Sequence, residues 1–151
     1  MEHQLQLADE AATQILGQQL AFCLKAPMVI YLEGNLGAGK TTLVRALLQQ
    51  LGYKGTVKSP TYTLVEEYTF PEFEIFHFDL YRLKNLDELF GMGFEEYLKP
   101  RSICLIEWPE KLGSALSEDL KISFSLAEPG RRVILSTNRP ELAQKLKQCI
   151  V

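Results

Sequence analysis

Long apolar runs are missing from this chain. The apolar stretches around Met28–Leu32 and Ile103–Ile106 have the length of buried strands and fall well short of the roughly 20 residues a membrane-spanning helix needs. No basic segment followed by an apolar core opens the sequence, so Met1-Glu2-His3-Gln4 is read as lacking a signal peptide. Positive charge is not in excess either. With 16 Lys and Arg against 19 Asp and Glu, the net charge is −3, which argues against a broad surface that grips a phosphate backbone, although one basic patch stays possible. Cysteine is sparse: Cys23, Cys104 and Cys149 form no C-x-x-C pair, which leaves no zinc-ribbon or redox motif. Cys23 and Cys104 sit among apolar neighbours and are expected as buried free thiols, in keeping with a reducing cytoplasm. Internal repeats and low-complexity segments are also absent.

What remains is ordinary globular material, 151 residues at 46% hydrophobic and 23% charged, expected to fold as one domain over 1–151. Such a length can bury roughly two thirds of its unfolded surface without disulfide staples. From Asp9, a candidate cap, the positions Ala12, Ile15, Leu16, Leu20, Cys23 and Leu24 repeat at helical spacing. Met28 to Glu33 reads as a buried strand running into Gly34, and a helix follows from about Gly39 to Leu51, stopped by Gly52. Further strands are expected over Thr61–Tyr68, Glu74–Asp79 and Ser102–Glu107, and a helix interrupted by Gly91 and Gly93 over Leu86–Leu98. Leu120–Leu126 and Arg131–Ser136 flank Pro129-Gly130 as an antiparallel hairpin, and a closing helix starts near Pro140. Strands alternating with helices predict an α/β three-layer sandwich of the P-loop type, its sheet mixed and mainly parallel, with a C-terminal hairpin.

The strongest signal is Gly34-Asn35-Leu36-Gly37-Ala38-Gly39-Lys40-Thr41, which satisfies G-x-x-x-x-G-K-[ST] between an apolar strand and a helix. Gly34 and Gly39 permit turns that a Cβ would forbid and bring backbone N–H groups close to phosphate oxygens. The helix that follows adds the positive end of its dipole. Lys40 supplies a flexible point charge for β- and γ-phosphates. Thr41 offers a hydroxyl to Mg²⁺, and Thr42 a hydrogen bond to an α-phosphate. A nucleoside triphosphate with Mg²⁺ is the expected ligand.

Such a site needs a carboxylate near the metal, commonly at the end of a neighbouring apolar strand. Asp79 and Glu107 both qualify, at the carboxyl edge where open α/β sheets bind ligands. Glu107 has the cleaner apolar lead-in and is favoured for the metal, with Asp79 positioning water or completing the metal shell. The competing role for either acid is to cap the next helix or to pair with Arg82. His77 reads as a structural histidine, and Trp108 as a core or rim aromatic beside the site. In Lys58-Ser59-Pro60-Thr61-Tyr62, Ser59 or Thr61 could sense a γ-phosphate through Mg²⁺ as a switch-loop residue does; a loop shaped by Pro60 is the equal alternative.

Other elements are lacking. No N/T-K-x-D guanine reader and no D-x-x-G occur, which favours adenine nucleotides, ATP or ADP. No arginine-rich lid is present. Arg82 and Arg131-Arg132 are read as surface or hairpin residues, so intrinsic hydrolysis should be slow, and a partner's residue could be worth 10³–10⁵ in rate.

Taken in order, the phosphate loop, Lys58-Ser59-Pro60-Thr61-Tyr62-Thr63-Leu64-Val65, His77-Phe78-Asp79-Leu80-Tyr81-Arg82 and Ile106-Glu107-Trp108-Pro109 closely resemble the bacterial TsaE (YjeE) family over nearly the whole chain. The resemblance implies an ATPase required for N6-threonylcarbamoyladenosine (t⁶A) at tRNA position 37. In that family a separate enzyme makes threonylcarbamoyl-adenylate and the TsaB–TsaD pair transfers the group, so tRNA is met indirectly through partners. It further implies Lys40, Thr41 and Thr42 as phosphate and Mg²⁺ ligands, Asp79 and Glu107 as acidic site residues, Trp108 as a functional aromatic, and Ser59 and Thr61 as a switch-like segment. Two alternatives from other classes are a small-molecule P-loop kinase, which would pass phosphate to an acceptor, and a non-catalytic docking module, which would keep partner function in Asp79→Ala.

Overall fold

The computed structural model describes residues 1–35 and 39–150. Seven strands form one sheet in the order β1-β7-β6-β2-β5-β4-β3. The strands are β1 (Glu2–Leu7), β2 (Met28–Glu33), β3 (Val65–Thr69), β4 (Glu74–Asp79), β5 (Ser102–Glu107), β6 (Leu120–Ala127) and β7 (Gly130–Ser136). The four central strands β6, β2, β5 and β4 run parallel, while β1, β7 and β3 pair antiparallel at the flanks. The helices are α1 (Glu10–Ala21), α2 (Lys40–Gln50), α3 (Leu86–Gly91) and α4 (Pro140–Cys149).

Strand residues alternate between two faces, and each face meets its own cover. Ile30, Leu32, Ile75, Ile103 and Leu105 pack with Leu16 and Leu20 of α1, Leu43 and Leu47 of α2, and Leu142 and Leu146 of α4. On the other face Tyr31, Phe76, Phe78, Cys104 and Ile106 meet Leu89 of α3, Phe94 and Leu112. The mixed, mainly parallel sandwich expected from the sequence is the fold observed. Asp9 caps α1, its Oδ1 accepting from the Ala12 N–H at 2.9 Å. Cys23 and Cys104 are buried free thiols.

The structure departs from the sequence reading at two places and agrees with it at a third. The strand predicted over Thr61–Tyr68 begins only at Val65: the Leu64 N–H turns back to the Pro60 carbonyl at 2.9 Å, and Leu64 takes a left-handed φ of 72°, so Thr61 to Leu64 form a turn. The interruption expected at Gly91 and Gly93 is observed, the helix begun at Leu86 ending at Gly91. Gly93, at φ 84°, then starts a separate 3₁₀ turn over Phe94–Tyr97. Residues 2–7, given no element, form β1, which runs antiparallel to β7 from Glu2 opposite Ser136 to Leu7 opposite Arg131.

Candidate functional site

Strands β2, β4 and β5 all point their carboxyl ends the same way, ending at Glu33, Asp79 and Glu107. The register sets Asp79 beside Glu107. By the two-residue period, His77 and Asp79 share the face of Ile75, and Glu107 shares that of Ile103 and Leu105. That is the face covered by α2. The loop between β2 and α2 therefore begins and ends at the sheet edge that carries both acids. It leaves β2 through Gly34 at φ 141° and enters α2 through Gly39 at φ 108°, two conformations that residues with a Cβ rarely adopt. The expectations for Leu36, Gly37 and Ala38 lie outside the described residues.

Lys40, the first residue of α2, is 5% exposed. Its ammonium donates to the Gly34 carbonyl at 2.7 Å, lies 3.4 Å from Glu107 Oε1 and sits 5.0 Å from the centre of the Trp108 ring. The second oxygen of Glu107 is 2.7 Å from His77 Nε2. Burial alone would raise the Glu107 carboxyl; the contacts with His77 and then Lys40 outweigh it and hold the group below the usual carboxylate value. A carboxylate and an ammonium thus sit together out of water where β5 meets the start of α2.

Asp79 is held from the other side. Its Oδ1 accepts from the Tyr81 N–H at 3.0 Å, and its Oδ2 accepts from the Thr61 hydroxyl at 3.3 Å. Thr61 also shares a hydrogen bond of 2.8 Å with the Ser59 hydroxyl. The loop residues singled out by sequence are therefore tied to the acid on β4. Lys40, Thr41, Thr42, Ser59, Thr61, Asp79 and Glu107 surround one cavity of about 290 Å³. Gly39 and Thr42 also border a second cavity of about 270 Å³, whose other walls include Asp9, Thr13, Pro129 and Arg131.

Trp108 follows Glu107 at φ 59°, in the left-handed region, a strain of order 1–3 kcal/mol for a non-glycine residue. Its ring touches Tyr81 with centroids 4.9 Å apart, and its Nε1 is buried with no hydrogen-bond partner among the described residues. Arg82 pairs with neither acid; its guanidinium lies 4.3 Å from the Tyr62 ring centre.

A profile of the family described as Threonylcarbamoyl adenosine biosynthesis protein TsaE matches residues 7–134. The chain belongs to the TsaE family. The tRNA threonylcarbamoyladenosine biosynthesis protein TsaE of Haemophilus influenzae is 50% identical to it over 109 residues, 72% of this chain and 69% of that protein. The protein of the same name from Bacillus subtilis is 34% identical over 134 residues, 86% of this chain and 84% of its own length. The crystal structure of Bacillus subtilis YdiB matches with a TM-score of 0.76, covering 99% of this chain and 93% of that one at 24% identity, a likeness of fold. The span matched by the TsaE profile takes in every side chain described at the site. Among the described residues, no helix of this TsaE chain is long and apolar enough to cross a membrane.

Two features of the TsaE site escaped the sequence. The contact of His77 with Glu107 follows from strand alternation combined with the β4–β5 register, and only the alternation is visible in the chain. The wall formed by Asp9, Thr13 and Arg131 joins the two ends of the sequence, and no local pattern announces it.

Proposed function

We propose that this TsaE-family chain binds ATP with Mg²⁺, hydrolyses it slowly, and serves threonylcarbamoyladenosine formation in tRNA together with a TsaB–TsaD pair in the cytoplasm. The observation that carries the reading is the buried Lys40 ammonium. It stands at the start of an eleven-residue helix, beside a cavity walled by hydroxyls and carboxylates, and its Gly34 carbonyl partner can be exchanged for a phosphate oxygen. Cation, helix dipole and glycine turns all favour an anion there.

The donor set fits the metal as well. Thr41, Glu107 and Asp79 offer one hydroxyl and two carboxylates, and among the described residues no group of three or more His, Cys, Asp and Glu gathers to hold an ion unaided. That matches Mg²⁺, which keeps waters and takes one or two carboxylates plus phosphate oxygens. Bound there, the ion would neutralise charge developing on the transferred phosphoryl group. Thr41 and Glu107 would hold it, with Asp79 completing the shell or orienting the attacking water. Lys40 would bridge the β- and γ-phosphates, and Thr42 would hydrogen-bond the α-phosphate. Because Thr42 and Gly39 border both cavities, the second would receive the adenosine end. Ser59 and Thr61, tethered to Asp79, would report the γ-phosphate to a docked partner.

Phosphate release by wild type and Lys40→Ala, alone and with TsaB–TsaD, tests the proposal. Slow wild-type turnover that rises with the partners, and a loss of at least about 100-fold in Lys40→Ala, is the expected result. ATP bound but never hydrolysed would replace the ATPase with a regulatory docking module. Failure to associate with TsaB–TsaD in ATP, in ADP and without nucleotide would remove the partner assignment.

A further inference from the structure

One buried side chain reaches the site without a part in the chemistry above. His77 is 1% exposed and stands on β4 between Leu105 of β5 and Glu66 of β3 in the register. An apolar residue would fill such a position at lower cost, since a buried imidazole with unmet hydrogen bonds is destabilising. Its Nε2 meets Glu107 Oε2 at 2.7 Å, whereas its Nδ1 is buried without a partner among the described residues. Those two facts select the tautomer. With the hydrogen on Nε2 the ring donates to the carboxylate and leaves only a bare lone pair unmatched. The other tautomer would set lone pair against carboxylate oxygen and bury an unpaired N–H.

We infer that His77 is the positioning residue for Glu107: its Nε2–H pins one carboxylate oxygen, so that the other is presented to Lys40 and the phosphate cavity. The terminal torsion of a glutamate is broad and roughly two-fold, so an unpinned carboxylate would sample orientations in which neither oxygen faces the cavity. Among the described residues Lys40, 3.4 Å from Oε1, is the only other side chain that holds this carboxylate, and it must turn toward a phosphate when nucleotide binds. His77 then becomes the remaining anchor, at the moment when orientation matters most. A misplacement of about 1 Å near the chemistry can lower a rate on the order of 100-fold.

This inference rests on the ATPase reading, and the experiment separates the two. Steady-state hydrolysis of Mg·ATP in the presence of TsaB–TsaD would be measured for wild type, His77→Leu, His77→Gln, His77→Asn, Glu107→Gln and the His77→Leu/Glu107→Gln double variant. In His77→Leu, kcat is expected to fall roughly 10- to 100-fold while KM for ATP stays within about threefold. Glutamine can place an amide N–H near the position of Nε2 and should recover most of the loss; asparagine is too short to reach Glu107 and should not. That comparison holds even where leucine prevents folding. In the Glu107→Gln background, removing His77 should cost no more than about twofold, because its effect passes through the carboxylate.

Equal rates for His77→Gln and His77→Asn, or an undiminished loss in the Glu107→Gln background, would overturn the inference and leave His77 a packing residue. A fully active His77→Leu alongside active wild type would overturn it alone. Wild type that releases no phosphate under any condition would overturn the ATPase reading and this inference together.

Discussion

Glu107 carries opposing demands in a single side chain. Burial favours its neutral form, yet the contacts with His77 and Lys40 keep it ionised below the usual carboxylate range. A carboxyl whose pKa is lowered by folding binds fewer protons folded than unfolded. It therefore contributes stability above its unfolded value, and that contribution is lost as pH falls through the lower folded value. The urea midpoint of wild type should fall as pH drops below about 4.5, and Glu107→Gln should fall less steeply; parallel slopes would mean that other carboxylates govern acid unfolding. Cys104 behaves oppositely. Burial pushes the Cys104 thiol up to about 12, so at neutral pH it should react with a thiol reagent in the folded protein far more slowly than after unfolding. At this scale the gathering of Gly39, Lys40, Asp79 and Glu107 around one cavity was legible because the residue types are constrained: glycine suits those φ values, and lysine supplies reach and charge. The partner of His77 was not legible, because nothing in Ile75-Phe76-His77-Phe78-Asp79 says which strand lies beside it.

Between elements, α1 approaches α2 closely at Gly17. A Cβ on Gly17 would stand 2.6 Å from the Leu43 carbonyl oxygen and 2.9 Å from the Ala46 Cβ. Alanine improves helix propensity by about 1 kcal/mol over glycine, but overpacking against backbone that cannot yield costs about 1–3 kcal/mol. Gly17→Ala is therefore expected to lower the denaturation midpoint; a raised midpoint would mean the helices part without loss. Gly130 plays the same part where β7 meets β1, since a Cβ there would run into the Leu7 carbonyl oxygen. The strands with largely apolar sequence, β2, β4 and β5, were readable because both sheet faces are covered. β1 was not, since Gln4 and Gln6 alternate with Leu5 and Leu7 in a piece too short to be told from loop, and its place comes from pairing with β7. The predicted strand at Thr61 failed for a related reason: β-branched residues suit strands, but the turn after Pro60 and the hydrogen bond from Thr61 to Asp79 hold the segment in the site instead.

For the whole molecule, a ligand that binds only the folded chain shifts its unfolding. At a free Mg·ATP concentration 100 times its Kd, the gain is about 2.7 kcal/mol. For a domain near 150 residues that corresponds to a rise in Tm of roughly 5–11 °C. Thermal unfolding with and without Mg·ATP should show a shift of that size in wild type and little in Lys40→Ala. An equal shift in both would place the nucleotide somewhere other than the phosphate loop.

The sheet order also bears on how the protein is made. β2, from which the phosphate loop hangs, is held on one side by β5 and on the other by β6: Ile30 pairs with both Leu105 and Leu120. As the chain leaves a ribosome, β2 and the loop emerge long before either neighbour exists. Closing the intervening stretches costs chain entropy before any central pairing returns it. Strand β2 must wait for both neighbours until most of the polypeptide has been synthesised, so the site at its carboxyl end is completed only late in folding.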